Sequence, residues 1–113
     1  REFPDVEITA IGTNSVATGA MLKAGADHGA TGENAVIVGA RKADIIAGPI
    51  GIVIADSLYG EITPKMALAV AQSNAKRILI PFNHCDNIIA GVSDLSVGKL
   101  IQSAVEEIRK ILA

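Results

Sequence analysis

The stretch "ADIIAGPIGIVIADSLYGEITP", residues 43–64, decides the fold. From Ile45 to Ala55 it carries neither charge nor hydroxyl, and Asp44 and Asp56 bracket that run. A membrane-spanning helix needs about 20 apolar residues. This run is shorter, and Gly48, Pro49 and Gly51 interrupt it. The pattern fits a short strand buried on both faces that opens into a loop at its carboxyl end. Residues 44–48 then form a central strand and residues 48–51, "GPIG", the loop. "IVIAD" (52–56) fits either the floor of a pocket or an apolar face between two copies of the chain. The stretch closes on a helix start, with Thr63 as N-cap and Pro64 at the first helical position.

Upstream, "VEITAI" (6–11) alternates and is β-branched, as a strand requires. "GTNS" follows, and Thr13 or Asn14 can cap a helix over 15–24. Its expected apolar stripe is Val16, Ala20, Met21 and Ala24, and Gly25 is a natural stop. "ADHGATGE" (26–33) reads as a connector. Thr31 is the expected cap of a helix through "GENAVIVGARK". Val36, Ile37, Val38 and Ala40 fit a short strand equally, and helix is preferred because Glu33 suits its first turn and Arg41 and Lys42 its last.

Downstream, the helix begun at Pro64 runs through "KMALAVAQSN". "KRILIPF" (76–82) is a short buried strand, "NHCDN" (83–87) a polar loop and "IIAGV" (88–92) a further strand. Asp94 or Ser96 caps a last helix whose inner face is Ile101, Ala104, Val105, Ile108, Ile111 and Leu112. Glu106 and Lys110 are spaced as an outer i,i+4 pair. The order β-α-α-β-α-β-β-α predicts a single α/β domain over residues 1–113, with a mostly parallel sheet and helices on both faces.

Net charge is −2, which argues against a nucleic-acid backbone as partner. One Tyr, two Phe and no Trp leave few platforms for stacking bases. Cys85 is the single cysteine, so an internal disulfide is excluded and a reducing compartment fits. With no basic-then-apolar leader and no spanning segment, the expectation is a cytoplasmic chain without membrane contact. "REFPDVEI" reads as the end of a helix followed by a strand, so the expectation is that a further piece precedes Arg1.

In open parallel sheets ligands sit beyond the carboxyl ends of the strands. "GTNS", "GPIG" and the loop after "KRILI" should meet there. Thr13, Asn14 and Ser15 offer hydroxyls, an amide and helix-N-terminal N–H groups, which suit an anion; the same residues equally make a plain cap. Gly48 and Gly51 let backbone approach a ligand, or simply pack against a helix. Asn83 and His84 can add directional hydrogen bonds. No metal-binding or serine-triad spacing is present, and no catalytic residue is assigned. His84, Cys85 and Glu61 are the candidates if the edge is an enzyme's, with Asp56 as a further carboxylate; none has a partner identifiable from spacing. His28 can reach the same edge or serve only to bond loop backbone.

"GTNS", "KAGADHGATGENA", "ADIIAGPIGIVIADSLYGEITPKMA" and "ILIPFNHCDNIIAGV" together resemble a small bacterial family of unknown function with a Rossmann-like character. The resemblance spans nearly the whole chain. It implies a Rossmann-like three-layer sandwich, with an N-terminal strand and a Gly-rich loop that would lie before Arg1 and are not in this sequence. It supplies no catalytic residues. The expected function is binding of a nucleotide, dinucleotide or other small anion through Thr13, Asn14, Ser15, Gly48, Gly51, Asn83 and His84. The alternatives are a small enzyme at the same edge, or an assembly module without a ligand. A homodimer is expected, with "PIGIVIA" as the cue.

Overall fold

The structure, a computed structural model, describes residues 3–81, 89–90 and 97–113. The expected strands over 76–82 and 88–92 are therefore only partly covered. The loop 83–87 and the caps at Asp94 and Ser96 lie outside the described residues, while Ile89 and Ala90 belong to no strand.

Strand β1 (Thr9–Gly12) leads into helix α1 (Ser15–Lys23), and β2 (His28–Thr31) into α2 (Glu33–Lys42). Next come β3 (Ile45–Pro49), a 3-10 turn (Ile50–Val53), α3 (Pro64–Gln72), β4 (Lys76–Ile80) and α4 (Val97–Leu112). Both strand pairings are parallel, β1 with β2 and β3 with β4, so the described strands form two two-stranded sheets. The architecture is mixed α/β with parallel pairing, as expected, but among the described residues the order is β-α-β-α-β-α-β-α with a 3-10 turn after β3.

The extra strand, β2, replaces the expected connector. Its sequence, His-Gly-Ala-Thr, has little strand propensity of its own. Pairing to β1 creates it, in the register Thr9↔His28 to Gly12↔Thr31. The ladder extends at both ends, where His28 N–H donates to the Ile8 carbonyl and Gly32 N–H to that of Gly12. The Asp27 carboxylate accepts the Ile8 N–H at 2.7 Å and locks the start. Thr31 is consequently the last residue of β2, not a cap. Gly32 occupies the cap position of α2 at φ 104°, a conformation that disfavours a side chain, and it offers no side-chain acceptor.

Asn14 caps α1, its Oδ1 accepting the Ala17 N–H at 2.9 Å. The helix ends in a Schellman motif, with Gly25 N–H on the Leu22 carbonyl and Ala26 N–H on that of Met21. The expected stripe does not face inward: Val16 is 81% exposed and Ala20, Met21 and Ala24 are also exposed. The buried face is instead Thr18, at 6% exposure. Close approach explains the change. A Cβ on Gly12 would stand 2.3 Å from Thr18 Oγ1, and one on Gly29 would meet Leu22 and Thr18. Two glycines in the strands bring the helix so near that a short hydroxylated residue fills the contact.

Thr63 caps α3 as expected, accepting the Met66 N–H at 3.2 Å, with Pro64 at the first helical position. Ile62, Met66 and Ala67 form the main buried cluster, and Val36, Ile52 and Leu58 pack against it. Ser73 ends α3 and donates to the Ala40 carbonyl at 2.6 Å, tying α3 to α2. In α4, Ala104 is buried and Val105 and Ile108 are half-buried, while Ile101, Ile111 and Leu112 remain partly exposed. The expected Glu106–Lys110 pair is replaced by Glu106–Arg109 and Glu107–Lys110 contacts of 3.5 and 3.2 Å. Among the described residues no helix is long and apolar enough to cross a membrane.

Candidate functional site at the carboxyl end of the first strand

β1 ends at Gly12, and the chain turns at Thr13 and Asn14 into the N-terminus of α1. Both side chains point to one acceptor. Thr13 Oγ1–H donates to Glu61 Oε1 and an Asn14 Nδ2–H to Glu61 Oε2, each at 3.1 Å. Two neutral donors thus hold the two oxygens of one carboxylate. Asn14 does this with its amide nitrogen while its amide oxygen caps α1, so a single side chain serves two structural purposes. Ser15 is the first residue of α1 and is exposed beside this cluster in sequence.

Glu61 stands on a tightly wound loop between the 3-10 turn and α3. Asp56 N–H donates to the Ile62 carbonyl at 2.7 Å and Ile62 N–H to that of Ser57, closing the loop's base. Inside it, Asp56, Leu58 and Tyr59 take φ of 65°, 55° and 57°, and Gly60 takes 83°. A left-handed conformation at a non-glycine residue costs about 1–2 kcal/mol. Three such residues persist because the surrounding bonds hold them: Gly60 N–H reaches Asp56 and Ser57 carbonyls, Glu61 N–H that of Leu58, and Ser57 Oγ–H that of Gly51. Leu58 packs on the main cluster, whereas Tyr59 is fully exposed.

Of the remaining expected site residues, Gly51 is buried and joins the Glu61 loop through the Ser57 bond. Gly48 lies within β3, where an added Cβ would sit 3.1 Å from Ile52 Cδ1. Asn83, His84 and Cys85 lie outside the described residues. His28 does not reach this edge. It pairs with Thr9 at the amino ends of β1 and β2, and its Nε2 lies 3.4 Å from Glu7.

The chain belongs to the DUF3842 family, a domain of unknown function.

The match to DUF3842 covers residues 1–113. Comparison with curated proteins and with solved structures gave no match. The DUF3842 chain also brings a second carboxylate to this region that sequence spacing did not single out as a site residue. Glu33, the first residue of α2, accepts the Thr63 hydroxyl. Thr63 follows Ile62 and Glu61 directly, so the two-residue step from Glu61 to Thr63 links the cap of α1 to the starts of α2 and α3. Among the described residues no group of three or more metal-binding side chains converges. The Glu61 carboxylate can accept hydrogen bonds from hydroxyls, and Thr13 and Asn14 can donate to an external oxyanion where they release Glu61.

Proposed function

We propose that the chain binds a nucleotide or another small anionic ligand at the carboxyl edge of a Rossmann-like sheet. Thr13, Asn14, Ser15, Gly48, Gly51, Asn83 and His84 are the residues assigned to it. The observation that carries the reading is the grip of Thr13 Oγ1 and Asn14 Nδ2 on the Glu61 carboxylate, 3.1 Å to each oxygen. That donor pair already fits a planar, two-oxygen anion at the N-terminus of α1, where the helix dipole favours negative charge. Glu61 stands in for the anion or, when a ligand is bound, accepts the hydroxyls of its sugar.

Thermal melts with ATP, NAD and pyrophosphate test the proposal. A ligand at 100 times its dissociation constant stabilises by about 2.7 kcal/mol. In a domain near this size that raises the midpoint by roughly 10 °C. Asn14→Ala should reduce the rise. An unchanged midpoint with all three compounds at millimolar concentration would sink the reading.

A further inference from the structure

We draw no further inference here: the strongest candidate, the partly exposed apolar stripe of α4 at Ile101 and Leu112 beside the Phe3–Arg109 ring contact, is an unpartnered helix face, and nothing in the structure shows what covers it.

Discussion

Thr18 shows how much one side chain decides when backbones come close. Its Oγ1 lies within hydrogen-bond distance of the Asn14 carbonyl, the Ala30 carbonyl and Thr31 Oγ1, at 3.1, 3.2 and 2.8 Å. It therefore links the first turn of α1 to β2 in a space that Gly12 and Gly29 leave open. Thr18→Val keeps the shape and removes the hydroxyl, so these part-buried hydrogen bonds are lost. Urea unfolding should show a loss of about 1–2 kcal/mol; unchanged stability would mean that packing alone holds the contact. Tyr59 poses the opposite problem, since its fully exposed side chain packs on nothing while its backbone is left-handed. Replacing it isolates the backbone effect. Tyr59→Gly should be more stable than Tyr59→Ala by about 1 kcal/mol, measured by paired melts; the reverse order would contradict the left-handed geometry.

At the scale of elements, the two best-defined helix starts are also where the candidate site is built. Asn14 begins α1 and Thr63 begins α3, and both take part in carboxylate contacts, with Glu61 and Glu33 respectively. A cap residue is worth about 1 kcal/mol when replaced by alanine. Asn14→Ala should cost that much and more, because it also releases one oxygen of Glu61. A double-mutant cycle with Glu61→Ala separates the contributions: a favourable coupling between positions 14 and 61 is expected. Zero coupling would leave the Asn14–Glu61 contact without energetic meaning and weaken the proposed site. The residues that form this bridge are 47 and 48 positions apart in sequence.

At the scale of the whole molecule as described, the buried hydrophobic cluster is small: Ile62, Met66 and Ala67, next to Glu61 in sequence. Met66 is 2% exposed and touches the elements that shape the site: Ile62 flanks Glu61, and Ile52 belongs to the turn after β3. Its sulfur also receives the Thr63 N–H at 3.4 Å. Met66→Ala should cost about 2–5 kcal/mol through the cavity it leaves, read as a lower denaturant midpoint with an unchanged slope. A loss below that range would show that α3 closes over the gap. The run 49–55, expected as a face between copies, with 52–56 as that face or a pocket floor, is partly consumed by this cluster. Ile50 and Ile52 to Ile54 are half-buried, Gly51 is buried, and Ile52 packs against the core.

Local chemistry was legible in the sequence wherever a residue acts on its immediate neighbours. The α1 cap, narrowed to Thr13 or Asn14, the Gly25 stop and the Thr63-Pro64 start are such cases, because a capping side chain reaches only two or three residues along its own chain. The strand expected over 44–48 likewise reads directly from the apolar run, though β3 lies one residue later, at Ile45–Pro49, and the alternation of strands and helices carried the parallel pairing. Three features depended on tertiary structure. β2 exists because β1 offers it a ladder, since His-Gly-Ala-Thr has no periodicity to announce a strand. The inner face of α1 is Thr18 and not the apolar stripe, because glycines in the neighbouring strands set how near the helix lies. Glu61 meets Thr13 and Asn14 from a loop before α3 that is wound into a left-handed turn. The sequence by itself determined the starts of α1 and α3 and the stop of α1; only the packing of distant segments decided which polar groups face one another, because no spacing rule reaches across 47 residues.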